Sequence, residues 1–104
     1  MKKAILLAPR GSTLDEVRVA VEAAFKFSLS AHESAYHGGD YFRGEIDEIS
    51  FLLQANFVED DGEVTEAEFP DADFLLYVNG GAAGVDEIFE KLKTLGKILR
   101  LSEY

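Results

Sequence analysis

Two short, wholly apolar runs restrict what this chain can fold into more than any other feature. They are residues 4–8 (AILLA) and residues 74–78 (FLLYV). Neither approaches the roughly 20 apolar residues that span a bilayer, or the apolar segment of about 7 to 15 residues in a secretory signal. Runs of this length are typical of strands covered on both faces. Turn residues and then helical spacing follow each run, which predicts two strand–helix units.

Two amphipathic helices are predicted. The first covers about residues 13–27, where Ser12 or Thr13 can cap the helix, and the second covers about residues 85–95, with Gly96 at the C-cap position. The apolar stripes are Leu14, Val17, Val21, Ala24 and Phe25 in the first helix, and Val85, Ile88, Phe89, Leu92 and Leu95 in the second. Because each helix has a single stripe, both are expected to pack on one face of a sheet.

Strand patterns lie between and after the helices. Residues 48–58 alternate, with Ile49, Phe51, Leu53, Ala55 and Phe57 on the side assigned to the core. The Asp61-Gly62 pair is a hairpin signal, so residues 63–69 are predicted to return as a polar outer strand. Residues 31–41 are ambiguous, because Gly38-Gly39 indicates a bulge or bend, and residues 98–101 give a last short strand.

The predicted fold is a single α+β domain over residues 1–104. It is a two-layer sandwich with a mixed or mainly antiparallel sheet and two helices on one face. The helix residues Leu14, Val17, Val21, Ile88, Phe89 and Leu92 are expected to be buried together with Leu6, Phe51, Leu53 and Leu76. Apolar residues make up 47% of the chain, which favours folding over disorder. The absence of cysteine fits a cytoplasmic location.

Charge is distributed very unevenly. Between Glu33 and Asp73 there are 13 acidic residues and one basic residue, Arg43, a net charge of −12. The remaining 7 acidic and 9 basic residues give +2, and the whole chain has −10. This charge disfavours nucleic acids and anionic membranes as partners and favours a basic protein. A solubilising surface is the alternative explanation.

Tyrosines lie among these acidic residues, and tyrosine is enriched in protein interfaces. The residues predicted to contact a partner are Tyr36, Asp40, Tyr41, Glu45, Asp47, Asp60, Asp61, Glu63 and Glu66. The pattern leaves the oligomeric state open.

No catalytic residue, metal site or cofactor is predicted. The two histidines, His32 and His37, match no ligand spacing, and the acidic run at residues 59–63 lacks the twelve-residue loop of an EF-hand. The glycine-rich segment from Gly80 to Gly84 precedes a helix but lacks the lysine of a P-loop. A small ligand-binding or regulatory domain using this segment is the second hypothesis. An enzyme subunit with carboxylates near Asp40 and Glu45 is the third.

Three segments carry a resemblance to a known class of proteins. "SAYHGGDYFRG", "ISFLLQANF" and "EFPDADFLLYVNG", which together span less than half of the chain, resemble small bacterial toxin-immunity proteins. These include the partners of contact-dependent growth-inhibition toxins and related polymorphic toxins. The resemblance implies a stoichiometric inhibitor that binds a toxin domain, often an acidic one because many toxin domains are basic nucleases.

Overall fold

The chain forms one six-stranded antiparallel sheet with two helices. The computed structural model describes residues 1–34, 39–57 and 64–104. Its elements are β1 (Lys2–Pro9), α1 (Leu14–Phe25), β2 (Ser30–Ser34), β3 (Gly39–Ile46), β4 (Ile49–Ala55), β5 (Phe74–Gly81), α2 (Ala82–Leu95) and β6 (Gly96–Glu103). The strands lie in the order β2–β3–β4–β5–β1–β6. The predicted α+β class is therefore confirmed.

Both helices pack on the same face of the sheet, as predicted. The core residues of the helices are Val17, Val21, Phe25, Val85 and Leu92, and those of the strands are Ile5, Leu7, Ile49, Phe51, Leu53, Leu76 and Val78. Leu14, Ile88 and Phe89 are only partly buried and pack against this core. The prediction that Leu6 packs with the helix residues was wrong. Leu6 is buried, but it lies between Ile5 and Leu7, so the alternation of the strand turns it to the helix-free face.

The helix ends are set by local chemistry. The side chain of Thr13 accepts a hydrogen bond from the Glu16 backbone N–H at 3.1 Å, and α1 ends where Lys26 adopts a left-handed conformation with φ 55°. Gly96 follows α2 but is no left-handed cap, because its φ of 174° is extended. A Cβ atom at Gly96 would lie 2.0 Å from the Ala8 carbonyl oxygen. This glycine is therefore required by the close approach of β6 to β1.

The predicted outer strand at residues 63–69 is wrong for its described part, since residues 64–69 form turns rather than a strand. Asn56 explains the difference, because its side chain makes hydrogen bonds to the backbone of this segment in place of pairing with a neighbouring strand. It donates to the carbonyl oxygens of Phe69 and Ala72 at 2.8 and 2.9 Å and accepts from the Glu66 N–H at 2.8 Å. Phe57 was also misassigned, since it is 43% exposed rather than in the core.

Neither described helix is suited to crossing a membrane. α1 has 12 residues and α2 has 14. At about 1.5 Å per residue, both are shorter than the roughly 30 Å of a bilayer hydrocarbon core.

Candidate partner-binding surface

One group of acidic side chains lies at the end of the sheet where β4 ends and β5 begins. We call Glu33, Asp40 and Asp73 the lower acidic group. All three are exposed; Asp71 instead lines a depression with Ala8 and Lys97, where β1 and β6 pair. Glu33 on β2 and Asp40 on β3 are directly opposed in the strand register. Like charges in this position destabilise a strand pair, so the arrangement is unfavourable for folding.

An aromatic pair lies next to Glu33 and Asp40 along β2 and β3, but it points to the opposite, helix-free face. The rings of His32 on β2 and Tyr41 on β3 are stacked, with centroids 5.3 Å apart and planes at 23°. Tyr41 is half-buried and His32 is exposed. At this end of the sheet the pair of strands β2 and β3 therefore has two opposed carboxylates on one face and an ordered aromatic pair on the other.

A second group of acidic side chains lies at the opposite end of the sheet. We call Glu45, Asp47 and Glu48 the upper acidic group. Asp47 and Glu48 form the two-residue turn between the paired residues Ile46 and Ile49, and both have positive φ, 51° and 65°. Positive φ at both positions is the signature of a type I′ turn, which prefers Asn-Gly or Asp-Gly. Glutamate is a poor choice at the second position, since left-handed backbone costs about 1 to 2 kcal/mol in residues with a Cβ atom.

Glu48→Gly is expected to raise the free energy of unfolding by about 1 kcal/mol, because glycine adopts φ 65° without a steric penalty. The corresponding rise in Tm is roughly 5 °C for a chain of this size. Thermal unfolding followed by circular dichroism measures it. Glu48→Gln is the matched control, because it removes the charge and keeps the Cβ atom. If glutamine stabilises the protein as much as glycine, charge repulsion rather than backbone strain is the cause.

The structure separates the residues predicted to contact a partner. Asp40 and Tyr41 lie at the lower end of β3, whereas Glu45 and Asp47 lie at its upper end. The seven residue steps from Asp40 to Asp47, which follows the last residue of β3, correspond to about 20 Å or more. Tyr36, Asp60, Asp61 and Glu63 are outside the described residues.

Glu66, the remaining predicted contact residue, is engaged within the protein. Its carboxylate accepts hydrogen bonds from the Tyr77 hydroxyl at 2.6 Å and from Arg100 at 2.9 Å. Burial would raise the pKa of Glu66, but these two hydrogen bonds outweigh burial and the net pKa is lowered. Burial and the bond to Glu66 raise the pKa of the Tyr77 hydroxyl well above its usual value. This network attaches the turns after residue 64 to the helix-free face.

Ion pairing distinguishes the acidic stretch from the rest of the chain. In the described part of residues 33–73, Glu66 and Glu68 lie 2.9 and 3.9 Å from Arg100. The other carboxylates there have no ion pair with any described residue; they are Glu33, Asp40, Glu45, Asp47, Glu48, Asp71 and Asp73. Outside this stretch most carboxylates are paired: Asp15 and Glu22 with Arg18, Asp86 and Glu103 with Lys3, and Glu90 with Lys93. In the described chain, cations therefore neutralise most carboxylates outside the acidic stretch but only Glu66 and Glu68 within it.

The segment from Gly80 to Gly84 is a direct strand-to-helix junction, since β5 ends at Gly81 and α2 begins at Ala82. Cβ atoms at Gly80 and Gly84 would lie 3.0 and 3.3 Å from side-chain atoms of Ile49. These two glycines therefore make room for Ile49, the residue that follows the Asp47-Glu48 turn. The geometry explains them by packing and supplies no ligand cradle.

The described residues also bear on a metal site and on the enzyme hypothesis. They contain no three histidine, aspartate or glutamate side chains placed so that they could hold one metal ion. Asp40 and Glu45, the carboxylates of the enzyme hypothesis, are five residues apart on one uninterrupted strand. They therefore lie on opposite faces of the sheet, about 17 Å apart along it.

Three residues of this surface were not singled out from the sequence. The position of Glu33 opposite Asp40 depends on the register of β2 against β3, which no local sequence pattern reveals. Glu48 was assigned to the strand rather than to a turn, because Asp-Glu carries neither glycine nor asparagine. Arg43 was noted only as the one basic residue of the acidic stretch, and its isolation was the available signal.

Comparisons with protein-family models, curated proteins and solved structures give no match to this chain.

Proposed function

We propose that this protein binds a basic protein through the lower acidic group and Tyr41, and that it is an immunity protein that neutralises a nuclease-like toxin domain. The carrying observation is the set of exposed carboxylates without ion pairs in the described chain. Glu33 and Asp40 are opposed to each other and to no cation. A basic partner would supply the missing charge.

The direct contact is assigned to the lower end of the edge strand β2 and its neighbour β3, where carboxylates lie on one face and an ordered aromatic ring on the other. Interfaces derive most of their affinity from a few buried anchors, among which tyrosine is enriched. Tyr41 is held by its stack on His32, so little side-chain freedom is lost when a partner covers it. The opposed carboxylates on the other face match a partner that covers this sheet edge with lysine or arginine side chains.

The upper acidic group is proposed to have a different role in binding the same basic partner. Along β3, Glu45 lies about 17 Å from Asp40 and Asp47 lies about 20 Å or more from it, at the far end of the strand. Charges at this distance still add to the field that attracts a basic partner at low salt. We expect the upper group to affect the association rate and the lower group to affect both association and dissociation.

The test measures association and dissociation rates with the basic nuclease domain of a candidate toxin, from about 50 to about 500 mM NaCl. The lower variant is Glu33→Gln with Asp40→Asn, and the upper variant is Asp47→Asn with Glu48→Gln. At low salt we expect the lower variant to slow association about threefold or more and to speed dissociation. The upper variant is expected to slow association alone.

The control is Glu87→Gln with Glu90→Gln on α2, which changes the net charge by the same two units on a helix that packs over β5, β1 and β6. If all three double variants act alike, only net charge matters and the proposed surface is wrong. Tyr41→Ala tests the anchor, and the expected loss is about 2 kcal/mol, a factor of roughly 30 in Kd. An unchanged Kd for Tyr41→Ala would remove Tyr41 from the interface.

A further inference from the structure

The helix-free face carries a groove that the proposed protein contact does not use. The turns after residue 64 cover only part of this face, and a depression of about 400 Å³ remains between β3 and β5. Its lining includes Arg43, Ser50, Leu52, Thr65, Tyr77 and Asn79. The volume lies within the range of small-molecule sites, about 300 to 1,000 Å³.

Arg43 is the charged group of this groove. It is the one basic residue between Glu33 and Asp73, a stretch that contains 13 acidic residues. No described carboxylate lies within ion-pair distance of it. Its strand neighbours are Ser30 on β2 and Leu52 on β4. The guanidinium therefore borders the groove with its donors uncommitted to any carboxylate of the described chain.

The other walls offer an apolar surface and hydroxyl groups. Leu52 and the Tyr77 ring are half-buried, and the Tyr77 hydroxyl is fixed by Glu66 at 2.6 Å. The Thr65 hydroxyl oxygen is buried without a hydrogen-bond partner among the described residues. Buried polar atoms are normally hydrogen-bonded, so Thr65 has an unused donor and acceptor next to the groove. A ligand with an apolar body and one polar group at its end fits this lining.

We infer that the groove binds a small monocarboxylate with a flat apolar body. The carboxylate pairs with Arg43, whose planar fork matches two carboxylate oxygens, and the body covers Leu52 and the Tyr77 ring. A single negative charge suits a single arginine. A phosphate dianion would leave excess charge in a protein that already carries −10. The inference does not depend on the proposed protein partner, because the variants of the lower acidic group leave the groove intact.

The test is a titration of the full chain followed by ¹H–¹⁵N NMR, with phenylacetate as the probe and neutral phenylacetamide as its matched analogue. Phenylacetate is expected to shift the amides of Arg43, Leu52 and Tyr77 saturably. Phenylacetamide is expected to bind about tenfold or more weakly, since a charged hydrogen bond contributes about 1.5 kcal/mol or more. Inorganic phosphate, which lacks the apolar body, is expected to bind more weakly than phenylacetate.

Arg43→Gln is expected to weaken phenylacetate binding about tenfold or more, and its spectrum shows directly whether the fold is retained. Lys26→Gln is the control, because Lys26 is exposed at the end of α1 and its loss lowers the charge equally. The inference is overturned if phenylacetate gives no saturable shift, if phenylacetamide binds equally well, or if Arg43→Gln has no effect. Equal weakening by Lys26→Gln also overturns it, because only net charge would then matter.

Discussion

Gly96→Ala is expected to lower the free energy of unfolding by about 3 kcal/mol or more and the Tm by roughly 15 °C. The added Cβ atom would lie 2.0 Å from the Ala8 carbonyl oxygen and 2.6 Å from the Pro9 Cα atom. Both are backbone atoms of the paired strand, so no side-chain rotation relieves the overlap. Relief would require β6 to move away from β1 where Pro9 pairs with Gly96. Chemical denaturation with urea measures the loss.

The same chain offers a matched control for this substitution. Gly81 also lies at a strand–helix junction, but nothing lies within 4 Å of a Cβ atom placed there. Gly81→Ala is expected to change stability by no more than about 1 kcal/mol, mainly through the poorer N-cap of α2. Equal losses at both positions would show that backbone freedom rather than the Ala8 contact explains Gly96.

Asn56→Ala is expected to lower the free energy of unfolding by about 3 kcal/mol. Asn56 is 4% exposed, and its side chain makes three hydrogen bonds to the backbone of residues 66, 69 and 72. Each such bond contributes about 1 kcal/mol, and buried groups left without a partner add to the loss. Asn56→Asp is expected to destabilise at least as much, because its carboxylate would face the two carbonyl oxygens that now accept from the amide. Thermal and urea unfolding measure both variants.

The control for Asn56 is Asn79→Ala. Asn79 is half-buried, and its side chain makes no hydrogen bond with the described residues, so a loss within about 1 kcal/mol is expected. Hydrogen exchange adds a local measurement, since release of the turns should increase exchange at the Glu66 amide before global unfolding. If Asn56→Ala costs no more than Asn79→Ala, the turns are held by the Glu66 network and not by Asn56.

Much of the fold was predictable because the periodicity of the chain reports burial directly. The apolar runs became β1 and β5, and the two stripes became α1 and α2 on one face. Leu6 and the turns at residues 64–69 were not predictable, because both depend on partners distant in sequence. A fully apolar run does not reveal which residues face the helices. Likewise, the role of Asn56 depends on backbone groups 10 to 16 residues away.

The candidate surface was predictable in composition but not in arrangement. Residue counts identified the acidic stretch, yet they could not show that its members divide between two ends of the sheet. The opposition of Glu33 and Asp40 follows from strand register, and the engagement of Glu66 follows from Tyr77 and Arg100. These are tertiary facts that local sequence patterns do not carry.

The position of β1 in the sheet also determines the order in which the protein can assemble. β3 and β4 pair across a two-residue turn, so that hairpin closes a short loop and forms quickly. β1 has no such neighbour: Leu7 pairs with Leu76 and Lys3 with Glu103. During synthesis, this strand, with its apolar run at residues 4–8, must therefore wait for β5 and β6 with both of its backbone edges open. Slow folding, and aggregation of nascent or truncated chains through β1, are the expected consequences.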